Sequence, residues 1–241
     1  NTLVWKPGTT PVAVVMISLN EAHNMEAVLQ NLTGWAQQVF LVDSCSADET
    51  VSIALRHGGH VVQRRFKGFG DQWNFALNEL PITAPWTMKL DPDERLTDEL
   101  KQQIELATKQ GHYTAYRLPI HLYFMGARLP SVLRLTRLWR TGSVQFSDVK
   151  ANEHAHSSGP EGELSAEIMH LDSPDLDHWL TKQNRYTTAE AISQFEGKAL
   201  ALPPRFFGTA LERRMWLKRN FWKMPGRYAI LFLYHLFVVG A

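Results

Sequence analysis

The stretch PVAVVMISLNE, residues 11–21, decides the fold class of this protein. Its apolar run ends at Leu19, is rich in β-branched residues, and predicts a strand buried on both faces of a sheet. Asn20 and Glu21 follow at once, and apolar residues with helical spacing then continue to Trp35. A buried strand that leads directly into a helix is typical of βαβ units, in which neighbouring strands run parallel. The sequence therefore begins as an α/β protein.

Strands and helices alternate in the same way over the first 110 residues, and the pattern becomes less regular beyond residue 113. Ser46 is predicted to cap the second helix, because Glu49 three residues later completes a capping box. The prediction is an α/β fold with a mostly parallel mixed sheet and helices on both faces. We predict further strands at 39–42, 60–63 and 86–90, and helices at 46–56, 71–80 and 97–109, whereas the less regular part contains only short runs such as 114–120 and 134–139.

The composition is that of a globular protein of one α/β domain plus an appendage. The chain has 241 residues, of which 44% are hydrophobic and 20% charged, which excludes a disordered chain. Lys and Arg number 25 and Asp and Glu 24, so a nucleic-acid partner, which normally calls for a basic excess, is not expected. The single cysteine, Cys45, excludes a disulfide framework and a cysteine-based zinc site.

Polar side chains follow three of the predicted strands: Asn20 with Glu21, then Asp43, then Asp91 with Asp93. Ligands of such sheets bind outside the carboxyl ends of the strands, although each residue alone would also suit a helix cap or turn. Two carboxylates separated by a proline can hold Mg2+ or Mn2+, which neutralises a diphosphate. No GxGxxG or GxxxxGK[ST] motif occurs. A nucleotide would therefore be held by a carboxylate-bound metal and by these polar groups.

The charge is distributed unevenly along the chain. Residues 205–227 carry seven basic residues and one acid, and this +6 leaves −5 on the preceding 204 residues because the whole chain carries +1. The basic segment contains several aromatic residues, and an apolar run interrupted only by His235 follows it to Ala241. This pattern favours a segment that lies on an anionic membrane surface, with a helix packed on the domain as the alternative. Fourteen residues are too few to span a bilayer as they stand.

Several motifs in a fixed order resemble the family 2 inverting glycosyltransferases, which have a GT-A fold. They are ISLNE at 17–21, VDS at 42–44 followed by Ser46, Asp48 and Thr50, and LDPDE at 90–94. The segment GFGDQWNFAL at 68–77 is similar to the branch that contains bacterial lipopolysaccharide-core β-1,4-glucosyltransferases and related envelope-polysaccharide enzymes. The resemblance extends over about residues 11–200 and implies a 1–204 GT-A domain, with a donor half at 11–112 and an acceptor half at 113–204.

The resemblance implies a nucleotide-sugar donor, most often a UDP-sugar, and a saccharide or lipid-linked acceptor. Such an enzyme would work at the cytoplasmic face of the bacterial inner membrane. The implied site residues are Asp93 for the metal, Asp91 beside it on the nucleotide side, Asp43 for the base with Asn20 and Glu21 close by, and Gln72 along the donor pocket.

Inverting transfer needs one general base, and Glu153 is the candidate, with Asp148 as its rival. Relatives tend to have a His-Glu pair where this chain has Asn152 before Glu153, so any role of that histidine is open here. Arg185 could meet the donor diphosphate or an acceptor phosphate, or form a structural ion pair.

His154, His156 and His170 do not indicate a zinc site, because no acidic or cysteine partner with zinc spacing is evident. His170 could instead lie near the donor phosphates. Two other functions share the architecture: a sugar-phosphate nucleotidyltransferase, which would carry a glycine-rich loop where residues 20–23 read NEAH, and a non-catalytic module, which would lack the acidic pair. The chain begins without methionine and stops inside an apolar run, which is compatible with a longer natural protein.

Overall fold

A computed structural model of the chain describes residues 6–147, 154–195 and 203–234. The chain divides into two compact units, Asn1–Leu176 and Asp177–Ala241. This boundary comes earlier than the predicted division after residue 204, because a long helix that begins at Leu176 groups with the C-terminal helices and not with the sheet.

The first unit begins as a regular alternation of strands and helices and continues mainly as strands. Its helices in the described residues are α1 (Ala22–Leu32), α2 (Thr50–Arg56), α3 (Phe69–Glu79) and α4 (Asp98–Gln110). Its strands are β1 (Thr10–Ser18), β2 (Ala36–Asp43), β3 (His60–Gln63), β4 (Trp86–Lys89), β5 (Glu94–Leu96), β6 (Ala115–Phe124), β7 (Ala127–Arg140), β8 (Val144–Phe146), β9 (Ala155–Ser157), β10 (Glu161–Glu163) and β11 (Ile168–Leu171).

A nine-stranded sheet forms the centre of this unit, in the order β3-β2-β1-β4-β7-β6-β11-β5, with β10 also paired to β6. The pairs among β1 to β4 are parallel, as are those of β6 with β10 and β11. β7 runs antiparallel between β4 and β6, and β5 runs antiparallel to β11. The predicted mostly parallel mixed sheet is confirmed, and β8 and β9 form a separate hairpin.

Successive residues of β1 enter two different cores, because side chains alternate across a strand. Val14 packs in the core that also holds the buried residues of α1 and α4, such as Met25 and Leu100. Val15 packs in the other core, beside Trp73 of α3. Helices therefore cover both faces of the sheet, as predicted, and the carboxyl ends of β1 to β4 are left for the site.

The second predicted helix starts four residues later than expected, and the predicted cap is wrong. α2 begins at Thr50 after Glu49, and neither residue 49 nor Ser46 provides a side-chain cap. Ser46 is instead engaged with the carboxylate of Asp43, at the end of the preceding strand. A local capping pattern was overridden here by the hydrogen-bond demand of a buried carboxylate.

The second unit is helical in its described residues. It contains α5 (Leu176–Phe195), α6 (Ala210–Asn220), a short 3-10 helix (Phe221–Lys223) and α7 (Arg227–Tyr234). A capping box of Thr209 and Glu212 starts α6. Large apolar side chains are exposed around these helices, Phe207 to 96% and Phe232 to 65%. In the described part of the chain, every helix is too short or too polar to cross a membrane.

Candidate active site

Three neighbouring parallel strands end in polar residues at the same level of the sheet. Ser18 of β1 is opposite Asp43 of β2, and Asp43 is opposite Gln63 of β3. The Asp43 carboxylate is completely buried and accepts hydrogen bonds from the Ser18 hydroxyl (2.9 Å), the Gln63 amide (3.0 Å) and both the backbone N–H and the hydroxyl of Ser46. Asp43 thus fixes the loop after β2, and its predicted contact with a nucleotide base stays a prediction.

Asn20 and the loop after β2 hold each other through reciprocal hydrogen bonds. The Asn20 backbone N–H donates to the Ser46 hydroxyl (2.8 Å), and the Asn20 side-chain oxygen accepts from the Ala47 N–H (2.9 Å). Asn20 has a positive φ of 58°, a conformation that asparagine tolerates better than most residues. These hydrogen bonds therefore connect the two loops at the carboxyl ends of β1 and β2.

Glu21 and its neighbour extend this contact toward α2. The Glu21 N–H donates to the Thr50 hydroxyl (2.8 Å), and the Ala22 N–H donates to the Asp48 carboxylate (3.1 Å). The Glu21 carboxylate accepts from the Asn24 side-chain amide (2.9 Å). We call these contacts of residues 20–22 with residues 46–50 the loop clasp.

Gln72 lies at the start of α3 and is completely buried. Its amide nitrogen donates to the Ser44 hydroxyl (3.2 Å), and its amide oxygen accepts from Arg64 (3.2 Å). Arg64 also pairs with Asp71 at 2.7 Å, which fixes the first turn of α3 beside the loop after β2. Gln72 is thus on the predicted side of the sheet, and its role toward a donor stays a prediction.

Asp93, His170 and Asp172 form a cluster that could hold a metal ion. The Nε2 atom of His170 lies 3.3 Å from Asp93 Oδ2 and 3.9 Å from Asp172 Oδ1, and one ligand atom of each residue lies within 4.8 Å of the others. The antiparallel pairing of β11 with β5 places His170 opposite Glu94 and so beside Asp93. The two carboxylates offer the oxygen ligands that Mn2+ and Mg2+ prefer, and the imidazole nitrogen could add a third ligand to a transition metal such as Mn2+.

Asp91, the other predicted metal ligand, lies outside this cluster. Its carboxylate accepts from Arg137 of β7 at 3.1 Å, and the same guanidinium nitrogen contacts the Glu94 carboxylate at 2.7 Å. Arg137 and Glu94 are both buried. The structure therefore gives the two aspartates of the acidic pair different surroundings, Asp93 beside His170 and Asp91 beside Arg137.

The surroundings shift the pKa values of Asp91, Glu94 and His170 away from their ordinary values, downward for Asp91 and upward for the other two. Burial acts to raise the pKa of Asp91, but the charges of Arg137 and Lys89 outweigh it and hold that pKa below its ordinary value. Burial and the neighbouring carboxylates raise the pKa of Glu94 to about 7 despite Arg137. Burial acts to lower the pKa of His170, but its hydrogen bond to Asp93 and the surrounding acids raise that pKa to about 9. A cation would take the place of the His170 proton between the same carboxylates.

The structure leaves three of the predicted site residues untested. Glu153 and its rival Asp148 lie outside the described residues, so the assignment of the base stays a prediction. Arg185 lies on α5, in the second compact unit, and its contact with a phosphate also stays a prediction.

Sequence reasoning missed His170 and Asp172 as partners of Asp93, and it missed Arg137 altogether. The sequence showed no acidic partner of His170 with zinc spacing, but the pairing of β11 with β5 brings Asp93 beside His170, and Asp172 follows His170 two positions later in the chain. The signal was not local: 77 positions separate Asp93 from His170 in the chain, and only the strand order brings them together.

The fold is that of the GT-A class, as solved structures similar to it indicate. The S. aureus protein TarS in complex with UDP aligns with a TM-score of 0.51 and 17% identity over 91% of this chain and 82% of that one. A TarS structure in complex with UDP-GlcNAc aligns with a TM-score of 0.50 and 16% identity over 69% of this chain and 60% of that one. At these identities the likeness concerns the fold alone.

Residues 13–131 match the model of glycosyl transferase family 2. The chain thus carries a glycosyl transferase family 2 domain and is a glycosyltransferase. A lipopolysaccharide core biosynthesis glycosyltransferase, LpsC of Rhizobium meliloti, is 25% identical over 88% of this chain and 83% of its own length. An uncharacterised glycosyltransferase of Rickettsia conorii is 26% identical over 76% of this chain and 70% of its own length.

Proposed function

We propose that this glycosyltransferase moves a sugar from a nucleotide diphosphate sugar, a UDP-sugar above all, to a saccharide or lipid-linked acceptor, with inversion at the anomeric carbon. The observation that carries the proposal is the cluster of Asp93, His170 and Asp172 at the carboxyl edge of the sheet. The UDP and UDP-GlcNAc complexes of TarS support the donor class, and the name of LpsC supports an acceptor in envelope polysaccharide synthesis.

A divalent cation held by this cluster would stabilise the negative charge that develops on the departing diphosphate. Neighbouring residues of the chain shape the site where the cation would bind. Arg137 compensates the charges of Asp91 and Glu94, and the Asp93 carboxylate lies 3.3 Å from His170. The loop clasp and Asp43 hold the neighbouring strand ends rigid, which lowers the cost of ordering a bound nucleotide.

Glu153 is our candidate for the base that takes the proton from the acceptor hydroxyl. Ser147 and His154 flank the segment that contains it, and their backbones pair at 3.0 Å. Phe146, next to Ser147, has its ring centroid 5.4 Å from the Nζ atom of Lys89, two residues before Asp91. The ends of the segment therefore start from the same edge of the sheet as the acidic group.

A sugar-phosphate nucleotidyltransferase is the rival enzyme. Such an enzyme would use glycine-rich backbone after the first strand to surround phosphates. Here that position is occupied by Asn20, whose side chain and backbone are both engaged in the loop clasp. This observation favours transfer of the sugar over transfer of the nucleotide.

We also propose that the 205–227 segment holds the enzyme at the cytoplasmic face of the bacterial inner membrane. Its net charge is +6, and the exposed Phe206 and Phe207 lie next to Arg205. Beyond it, Tyr228 and Phe232 of α7 are also exposed. Basic and aromatic side chains together suit an anionic lipid surface, where a soluble donor and a lipid-linked acceptor meet.

The donor is tested by incubating the protein with single nucleotide sugars and Mn2+ and measuring the release of free nucleoside diphosphate. We expect release from one UDP-sugar, together with a rise in the melting temperature when that sugar and Mn2+ are both present. Release of pyrophosphate from a nucleoside triphosphate and a sugar phosphate would instead identify a nucleotidyltransferase. Absence of both products with every donor would contradict the proposal.

A further inference from the structure

A polar groove lies near the metal cluster, and none of its lining residues belongs to that cluster. It measures about 410 Å3 and is lined by Thr97, Glu99, His121, Tyr123, Arg128, Ser165, Ala166 and Glu167. This volume falls within the range of small-molecule sites. All eight residues belong to the first compact unit, so the groove is complete within one rigid part of the chain.

The Glu167 carboxylate contacts three other side chains that line the groove. Its carboxylate accepts from the Tyr123 hydroxyl (3.0 Å) and from Arg128 (2.9 Å), and the Nε2 atom of His121 lies 3.4 Å away. Tyr123 and Arg128 face each other across the β6–β7 hairpin. These contacts hold four hydrogen-bonding side chains in fixed directions before any ligand arrives.

The chemistry of the lining selects among ligand classes. Two carboxylates and one guanidinium leave no positive excess, which disfavours a phosphate or another anion. Arg128 next to Glu167 disfavours a metal ion, and the polar lining disfavours an apolar ligand. Hydroxyl groups, which both donate and accept, match a mixture of carboxylate, guanidinium and hydroxyl side chains.

The groove is set apart from the reacting centre. Glu167 lies just before β11 and three positions before His170, which is about 10 Å of backbone if the chain is extended. His121 of the groove is opposite Met169, whereas His170 is opposite Leu122, so the side chains of His121 and His170 lie on opposite faces of the sheet. A ligand in the groove would therefore not carry the hydroxyl that attacks the donor.

We infer that this groove binds a neutral sugar unit of a saccharide acceptor, remote from the reacting hydroxyl. The inference rests on the proposed function, since it supplies the substrate class of the same enzyme. Glu167 and Arg128 would bind neighbouring hydroxyl groups, and Tyr123 would orient the carboxylate between them.

The inference is tested by measuring glycoside binding to the full chain with saturation-transfer NMR. The probes are methyl β-glucoside, methyl β-galactoside and methyl α-mannoside. We expect at least one glycoside to bind wild type, and Arg128→Met and Glu167→Gln to weaken that binding roughly tenfold or more, the usual effect of losing a hydrogen bond to a charged group. Arg117→Met is the matched control, because Arg117 is an exposed arginine of β6 that pairs with Glu163 outside the groove.

Donor binding, measured on the same samples as the melting-temperature shift with UDP and Mn2+, separates the two claims. Normal donor binding in Arg128→Met and Glu167→Gln with loss of glycoside binding supports the groove. Normal donor binding by wild type with no glycoside bound, or with glycoside binding equal in the groove variants and Arg117→Met, overturns the groove alone. Failure of wild type to bind any nucleotide with Mn2+ contradicts the proposed function.

Discussion

Buried charged residues hold the strand ends on which the candidate site is built. Asp43 has no exposed surface, and the donors that surround its carboxylate offset the cost of burying it within the sheet. Arg137 does the same for the buried Glu94 and the partly exposed Asp91, whose carboxylates otherwise would lie together without a positive partner. Residues such as these shape the site without needing to touch the substrate.

Arg137→Met is expected to lower the free energy of unfolding by about 3–5 kcal/mol, because it leaves a buried carboxylate without its partner. Adding Glu94→Gln removes one of the two carboxylates that have lost Arg137 as a partner. The double variant should therefore recover part of the lost free energy of unfolding. Urea unfolding of the three proteins measures both effects. A double variant that is no more stable than Arg137→Met would show that Arg137 does not act through Glu94.

Glu153→Gln is expected to bind donor normally and to transfer sugar at least ~100-fold more slowly, the usual effect of losing a general base. The amide keeps the shape of the side chain and cannot accept the proton. Steady-state rates, with Asp148→Asn as the matched control, check the assignment. An active Glu153→Gln together with an inactive Asp148→Asn would move the base to Asp148.

At this scale the sequence predicts the residues that follow strands directly and misses those that arrive from elsewhere in the chain. Asn20, Glu21 and Asp93 were found because a buried strand and a short acidic motif stand next to each other in the sequence. His170 and Arg137 reach the same place through β11 and β7, and nothing in local spacing fixes which strands pair. Long-range pairing depends on the summed burial of whole strands, which a motif does not contain.

At the scale of elements, the alternation of β1 to β4 with α1 to α3 was predictable because each strand is a short apolar run between turn residues. α4 also agrees closely, with Thr97 as its cap and Gly111 in the left-handed conformation after its end. The start of α2 was not predictable, because the loop clasp uses the residues that a local rule assigns to a cap.

The loop clasp gives a pH dependence to stability. Slight burial acts to raise the pKa of Asp48, but hydrogen bonds from Thr50 and Ala22 outweigh it and lower that pKa below its ordinary value of 3.8. A lowered folded pKa means that the stabilisation is present above the unfolded pKa and is lost as the pH falls through the folded one.

Asp48→Asn should therefore lower the melting temperature most above about pH 5, and the difference from wild type should shrink as the pH falls below about 4. Thermal unfolding monitored by circular dichroism over this pH range gives the comparison. Glu49→Gln, which makes the same charge change at a neighbour without a side-chain cap bond, is the control. Equal pH dependence in the two variants would contradict the role of the clasp.

At the scale of the whole molecule, the charge asymmetry separates a body of −5 from a C-terminal segment of +6. Each basic residue near an anionic surface contributes on the order of 1 kcal/mol, so engagement of part of the segment suffices for binding. The exposed Phe206 and Phe207 would add apolar contact at the interface.

Full-length protein is expected to float with anionic liposomes, less so at high salt, whereas a truncation before Arg205 should remain at the bottom of the gradient. Neutral liposomes serve as the control for the electrostatic part of the binding. If the truncated and full-length proteins partition alike, the segment has a structural role and the proposed membrane location fails.

Titration of Mn2+ in the presence of UDP, followed by calorimetry, tests the central claim most directly, namely that Asp93 anchors the cation which binds the donor diphosphate. Wild type should bind the pair, and Asp93→Ala should lose both Mn2+-dependent UDP binding and sugar transfer while its circular dichroism spectrum stays unchanged. Asp98→Ala, which changes an exposed aspartate at the start of α4, should bind as wild type does. An Asp93→Ala protein that binds Mn2+ and UDP with wild-type affinity and transfers sugar at the wild-type rate would contradict the account.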